Sequence, residues 1–114
     1  MSDTNTYNFE VRVLMLLENG TWIAQGLDYD ITGHGDTPDT ALDNFGKTII
    51  GQAIVDLTHG GKPLANVPKA PDFYWNRFNE AEWRGQQKRF DFPEETPPAY
   101  IVTAIAADTR MYFS

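Results

Sequence analysis

The segment FEVRVLMLLENGTWIAQG, residues 9–26, has the pattern of a β-hairpin. Apolar residues occupy every second position from Phe9 to Leu17, which is the period of a strand with one buried face. Asn19-Gly20 follows, and this pair favours the positive φ angles of a two-residue turn. With that turn the two strands pair so that Leu17 lies opposite Trp22.

The two faces of this hairpin differ in character. One face is apolar throughout and is expected to pack on a helix; it consists of Val11, Val13, Met15, Leu17, Trp22 and Ala24. The other face is polar except for a patch formed by Leu14, Leu16 and Ile23. Such a patch is either covered by a later part of the chain or used as a dimer or other protein contact. The sequence leaves both possibilities open.

A long helix is predicted from Pro38 to His59, after a short third strand. Thr37 can cap the first free amides, Pro38 suits the first helical position, and Gly60-Gly61 can end the helix in a left-handed turn. Apolar residues then recur at spacings of three and four, as in an amphipathic helix; they are Leu42, Phe45, Ile49, Ala53 and Leu57. Together with the hairpin, this helix predicts an α+β fold in which an antiparallel sheet packs on one long helix.

The second half of the chain gives weaker signals. Residues 62–71 contain three prolines and cannot form a regular helix. A second, short helix is predicted from Asp72 to about Gln86, and a C-terminal strand from Tyr100 to Ala107. Arg110 to Phe113 suggests a further strand. We interpret residues 1–114 as one domain, with a core at 8–59 and an aromatic-rich helix and C-terminal strand at 71–114.

Composition excludes several classes of function. The formal net charge is −7 and the isoelectric point about 4.6, which argues against phosphate-backbone binding as the main activity. The chain has no cysteine, so it has neither disulfides nor thiol chemistry. No apolar run approaches the roughly 20 residues of a membrane span, and the polar N-terminus lacks a signal pattern. A soluble cytoplasmic protein is expected.

Residues 22–42, WIAQGLDYDITGHGDTPDTAL, resemble the HicB-like antitoxin family. The match is carried by a hairpin whose second strand contains Trp22-Ile23-Ala24, and by Gly35-Asp36-Thr37 with Ala41-Leu42 at the opening of the helix. The resemblance implies a β-β-β-α-β partial ribonuclease-H-like fold that is usually dimeric. It also implies that the domain binds and neutralises a small basic toxin that cleaves messenger RNA. Residues 86–114 contain no predicted recognition helix, so direct DNA binding is not expected.

The most unusual composition lies between residues 73 and 92, where aromatic and basic residues are concentrated. Aromatic rings with arginines dominate protein–protein hot spots, and they can also stack a nucleobase and hold a phosphate. The same residues could instead cover the open face of the sheet. Core cover, a protein interface and a small-ligand pocket all remain open, and the candidate partner- or ligand-binding residues are Tyr74, Trp75, Arg77, Trp83 and Arg84.

A catalytic site is not expected. Five carboxylates lie near the start of the long helix and would be magnesium ligands in a metal-dependent nuclease; they are Asp28, Asp30, Asp36, Asp39 and Asp43. Capping and dipole effects already explain Asp36 and Asp39. His34 has no plausible nucleophile beside it, since the two serines lie at the termini. We therefore expect no catalytic residue, no metal and no cofactor.

The favoured interpretation is a non-enzymatic binding protein resembling a HicB-like antitoxin, forming a homodimer and binding a small basic toxin. The alternative is a prophage-type protein that sequesters a small nucleotide signal. A metal-dependent nuclease is the least favoured of the three.

Overall fold

The structure, a computed structural model, describes residues 5–81, 83–92 and 100–112; for residues 5–8, 83, 86 and 100–104 it describes the backbone alone. Five strands form one sheet in the order β3-β2-β1-β5-β4. The strands are β1 (Asn5–Glu18), β2 (Thr21–Gly26), β3 (Thr32–Gly35), β4 (Trp83–Asp91) and β5 (Tyr100–Tyr112). The helices are α1 (Pro38–Thr58) and α2 (Asp72–Glu80), and they pack on opposite faces of the sheet.

The hairpin forms as predicted. Asn19 and Gly20 have φ angles of 50° and 79°, the left-handed pair that a two-residue turn requires. The resulting register places Leu17 opposite Trp22 and Met15 opposite Ala24. This register directs the odd-numbered apolar residues of β1 towards α1, where Val11, Val13 and Met15 join the main core.

The limits of α1 also agree with the prediction. The Thr37 side chain accepts a hydrogen bond from the backbone N–H of Thr40 at 3.1 Å, and Pro38 is the first helical residue. Gly60, just beyond the helix, has a φ angle of 77°. The predicted stripe is the buried face of α1, with Leu42, Phe45, Ile49, Ala53 and Leu57 all in the core.

Two glycines set how closely α1 lies against the sheet. A Cβ atom on Gly33 of β3 would collide with backbone atoms of Phe45 and Ala41, so helix and strand meet backbone to backbone there. Gly46 of α1 leaves room for the ring of Phe90 from β4. The centroid of this ring lies 6.2 Å from that of Phe45. The outer strand β4 is thereby anchored in the same core as the hairpin.

The α+β class is confirmed, with a long helix, a short second helix and a C-terminal strand. In one respect the sheet differs from the antiparallel prediction: β5 inserts beside β1 and runs parallel to it, so the sheet is mixed. The last strand is also continuous from Tyr100 to Tyr112, where the sequence suggested two strands. Its central position explains its apolar composition, because both of its edges are paired.

The predicted end of the second helix at Gln86 is wrong. The helix ends at Glu80, Ala81 is already extended, and β4 begins at Trp83. Tertiary pairing overrides local helix propensity here, because β4 pairs with β5 and delivers Phe90 into the core.

The second face of the sheet is covered by α2. Leu14, Leu27, Ala70 and Phe78 form a second buried cluster, and Leu16 packs at its margin. The patch predicted at Leu14, Leu16 and Ile23 is therefore covered at its first two residues, while Ile23 is half-buried outside this cluster. Among the described residues, neither helix is long and apolar enough to cross a membrane.

Candidate functional site

Rings and guanidinium groups converge where α2 lies on the sheet. We call this set the aromatic–arginine surface; it consists of Arg12, Phe73, Tyr74, Trp75, Arg77 and Tyr112. Helical spacing turns Tyr74, Trp75 and Phe78 towards the sheet, where they pack against the cluster around Leu14. Alternation along β1 brings Arg12 to the same face, two residues before Leu14.

Arg77 is held by three neighbours. Its guanidinium carbon lies 5.0 Å from the ring centroids of both Phe73 and Tyr112. Its Nη1 donates to the Tyr112 hydroxyl at 3.0 Å and to Glu80 Oε2 at 3.3 Å. A guanidinium fixed in this way loses little side-chain freedom when a partner binds.

Arg12 is held by Trp75 and Asp28. The guanidinium carbon of Arg12 lies 4.8 Å from the Trp75 ring centroid, a cation–π distance. The same group pairs with Asp28 at 3.4 Å, and the Asp28 carboxylate also accepts the backbone N–H of Arg12 at 2.7 Å. The loop that follows β2 is thus joined to the aromatic–arginine surface.

Part of this surface faces water. The Phe73 side chain is 56% exposed, the highest value among the large apolar residues that the structure describes as exposed. Its ring stands edge-on to Tyr74, with centroids 5.2 Å apart. An exposed ring beside a fixed arginine has the composition of a protein-binding hot spot.

The chain's five arginines all lie on the α2 side of the sheet. Arg77 is on α2 itself, and Arg12 is on that face of β1. The guanidinium carbon of Arg110 lies 4.5 Å from the Phe78 ring centroid, and its Nη1 donates a hydrogen bond to the Phe78 carbonyl oxygen at 3.2 Å. Arg84 lies directly opposite Arg110 in the β4–β5 pair, and Arg89 lies directly opposite the exposed Ala106. Directly opposite residues point to the same face of a sheet, so Arg84 and Arg89 also point to the α2 side. Two of the lysines, by contrast, lie on the α1 side: Lys47 is on α1 itself, and Lys88 of β4 pairs with Asp43.

The structure brings together three of the five predicted site residues. Tyr74, Trp75 and Arg77 share α2, and Tyr74 and Trp75 are half-buried because they also cover the sheet. Arg84 lies instead on β4 and is exposed. Trp83 begins β4, and its side chain lies outside the described part of the structure.

Sequence reasoning missed Arg12 and Tyr112 as members of this surface. Alternation in β1 already places Arg12 beside Leu14 and Leu16, so that signal was available in the sequence. Tyr112 reaches the site only because β5 runs parallel to β1 and pairs it with Leu16. No local sequence pattern predicts that pairing.

A groove of about 550 Å³ continues this face beyond α2. Its floor is built by cross-strand neighbours on β1, β5 and β4, with Ala106 as its small central residue. Charges of both signs border it, namely those of Glu10, Arg12, Arg89 and Asp108. The groove is open and shallow, and it adjoins the aromatic–arginine surface at Arg12.

Three of the five candidate magnesium ligands each have a separate partner. Asp28 pairs with Arg12, Asp43 pairs with Lys88, and Asp30 accepts a hydrogen bond at 2.8 Å from the buried Gln25 amide. Within residues 5–81, 83–92 and 100–112, no three histidine or carboxylate side chains are grouped so that they could hold a metal ion. His34 is exposed on β3, and the His59 ring lies 2.8 Å from the Val55 carbonyl at the end of α1.

Among the titratable side chains that the structure describes, one has a clearly shifted pKa. Burial, assisted by the negative charge of Asp28, raises the pKa of the Tyr29 phenol above its usual value. Tyr29 packs edge-on against Phe9 at 6.2 Å and borders the main core. Tyr29 lies in the loop after β2. Because its phenol titrates only at high pH, the raised pKa affects the stability of the fold at high pH and not the charge of the protein near neutrality.

Comparison with models of known protein families, with curated proteins and with solved structures gives no match to this chain.

Proposed function

We propose that this chain is a non-enzymatic, cytoplasmic protein-binding domain that acts in the manner of a HicB-like antitoxin. Its partner is a small basic protein that cleaves RNA. The aromatic–arginine surface provides the anchors of the contact, with Phe73, Trp75 and Arg77 at its centre.

The observation that carries this proposal is the half-exposed Phe73 ring beside an Arg77 already fixed by Tyr112 and Glu80. Aromatic and arginine side chains contribute most of the binding energy at typical protein interfaces. Their fixation in the free protein lowers the entropy that is lost on association. A side chain that served only the core would be covered, as Phe78 is at 3% exposure.

The charge of the chain suits a basic partner. The net charge of −7 accelerates encounter with a positively charged protein over distances of about a Debye length. Carboxylates such as Asp72 and Glu80 on α2 lie next to the proposed anchors. They can meet the partner's lysines and arginines at the rim of the contact, where charges set specificity and association rate.

The order of elements supports the family resemblance. Three antiparallel strands are followed by a long helix, and a later strand returns to pair with the first strand. This agrees with the β-β-β-α-β core that the HicB-like resemblance implies. The aromatic helix and β4 are additions between α1 and the returning strand.

The test is purification of the tagged chain from its native host, followed by native mass spectrometry. The expected result is a stoichiometric complex with one small basic protein. That protein should cleave RNA when purified alone and lose this activity when the chain is added back. Recovery of the chain without any protein partner would contradict the proposal.

Matched variants locate the contact. Phe73→Ala and Val55→Ala each remove an exposed apolar side chain, of 56% and 50% exposure, from opposite faces of the sheet. Phe73→Ala is expected to lose the partner and Val55→Ala to retain it. Equal binding by the two variants would show that the contact lies elsewhere.

The groove bordered by Arg12 and Arg89 favours a second candidate function, which is sequestration of a small nucleotide signal. Its two arginines can hold a phosphate, and the Trp75 ring lies beside one of them, Arg12. The same native mass measurement separates the two functions, because a bound nucleotide adds only a few hundred daltons to the mass of the chain.

A further inference from the structure

The two edges of the sheet are treated differently. The β3 edge is only four residues long, and the Asn44 side chain donates a hydrogen bond to the His34 carbonyl at 2.7 Å. At the other edge, β4 is nine residues long and lies last in the strand order. Among the described residues no strand lies beyond it, and an edge of this length offers a row of backbone groups to a further strand.

A groove runs along this edge, between β4 and α1. It is broadly open to solvent, has a volume of about 590 Å³ and lies on the face of the sheet opposite the aromatic–arginine surface. Ile50, Ile54 and Phe90 give it an apolar floor. Ile50 and Ile54 are half-buried and so still present apolar surface to the groove.

Gly51 borders this groove, and no contact within the described part of the chain requires a glycine at this position. A Cβ atom added to Gly51 would meet nothing within 4 Å. At Gly46, earlier on the same helix, the Phe90 ring occupies the space that a Cβ atom would take. A glycine in the middle of a helix weakens it, because glycine loses more backbone freedom on folding than alanine does. The space above Gly51 is therefore suited to a side chain that comes from outside the domain.

The local charge identifies the kind of occupant. β4 carries Arg84, Lys88 and Arg89 against Asp91 alone, in a chain whose net charge is −7. Lys47 on α1 borders the groove from the other side and forms no ion pair with any described residue. A second copy of β4 would bring like charges together, so charge complementarity favours an acidic strand instead.

We propose that the outer edge of β4 binds an extended, acidic peptide segment of a partner protein as a sixth strand of the sheet. One apolar side chain of this peptide sits above Gly51, between Ile54 and Phe90. The intervening residues of the peptide point to the other face of the sheet, where their carboxylates pair with Arg89. Arg89 is available because its own partner, Asp91, is 75% exposed and such surface pairs exchange readily. This site is separate from the surface proposed for the basic partner.

The probe is a displayed library of random peptides of about ten residues, long enough to pair with the nine residues of β4. Selection against the intact chain is expected to enrich peptides in which acidic and apolar residues alternate. Enrichment of basic or patternless peptides, or no enrichment, would overturn the proposal.

Two leucine variants locate the site. Gly51→Leu fills the proposed space and replaces a poor helix former by a good one, so its thermal midpoint should rise while affinity for a selected peptide falls about tenfold or more. Gln52→Leu adds the same side chain one position away, outside the groove, and should bind normally. Equal affinity of the two variants would contradict the site.

Charge and self-association provide the remaining checks. Arg89→Glu should weaken binding of the selected acidic peptide, and a peptide with lysine in place of each acidic residue should not bind the native chain. Sedimentation of the native chain tests the competing occupant. A dimer that Gly51→Leu converts to monomer would show that a second copy covers this edge, and would overturn the acidic-peptide assignment.

Discussion

The hydroxyl of Tyr112 accepts a 3.0 Å hydrogen bond from Arg77, and its ring centroid lies 5.0 Å from the same guanidinium. One residue is on α2 and the other at the end of β5, so this pair joins the short helix to the sheet. The arginine that anchors the proposed partner is therefore positioned by a residue from a different element.

Tyr112→Phe is expected to lower the free energy of unfolding by about 1 kcal/mol, because it removes one partly buried hydrogen bond to a charged group and keeps the ring. Urea denaturation measures the change. Tyr74→Phe is the matched control on α2, because the Tyr74 hydroxyl forms no hydrogen bond with any residue whose side chain the structure describes. A change below about 0.5 kcal/mol is expected. Equal losses would contradict the role of the Arg77–Tyr112 pair.

Gly33→Ala is expected to destabilise the protein by about 3 kcal/mol or more, because its Cβ would collide with the backbone of α1 at Phe45 and Ala41. Gly51→Ala tests the opposite case within the same chain. Its Cβ meets nothing, so the free energy of unfolding should rise by about 0.5–1 kcal/mol. Thermal or chemical denaturation of both variants measures the contrast, and a stable Gly33→Ala would refute the close approach of β3 and α1.

Phe90→Ala and Phe73→Ala are expected to separate stability from binding. Phe90 packs on Gly46 and Phe45 in the core, so its loss should cost about 3–5 kcal/mol. Phe73 is largely exposed, and its removal should change stability by less than about 1 kcal/mol while it abolishes partner binding. The measurements are chemical denaturation and co-purification of the partner. A large loss of stability in Phe73→Ala would assign that ring to the fold.

Stability at high pH should depend on Tyr29. Its pKa is raised in the folded protein by burial and then by Asp28, so the unfolded chain loses this proton first. The contribution is constant below about pH 10, the ordinary phenol value, and is lost as the pH rises through the folded pKa.

The measurement is the midpoint of urea denaturation at about pH 9 and about pH 11. The native chain should lose more stability over this range than Tyr29→Phe does. All other titrating groups are common to both proteins, so their effects cancel in the comparison. An identical decline in the two proteins would show that Tyr29 does not titrate differently on folding.

Local chemistry predicted the first half of the fold well. The turn at Asn19-Gly20 and the cap at Thr37 act within a few residues, and each is encoded by the residues that perform it. The stripe on α1 has a fixed period that few other structures share. These features could be read without knowledge of the rest of the chain.

The second half depended on contacts between distant residues. The parallel pairing of β1 with β5 joins residues about a hundred positions apart, and no local pattern encodes it. The end of α2 was misplaced because Phe90, ten residues beyond Glu80, must reach the core through a strand. Tyr112 was missed as a site residue for the same reason, whereas Arg12 was open to prediction from alternation alone.

The shortness of α2 has a consequence for recognition. Nine residues are fewer than the roughly 12–15 that sustain a helix alone in water, so α2 persists only while the sheet beneath it and the Ala70 N–H···O=C Leu27 bond hold it in place. A chain still emerging from the ribosome, or one partly unravelled, displays no such surface. Engagement by the partner would therefore act as a check on the completeness of folding, since only finished molecules would be captured.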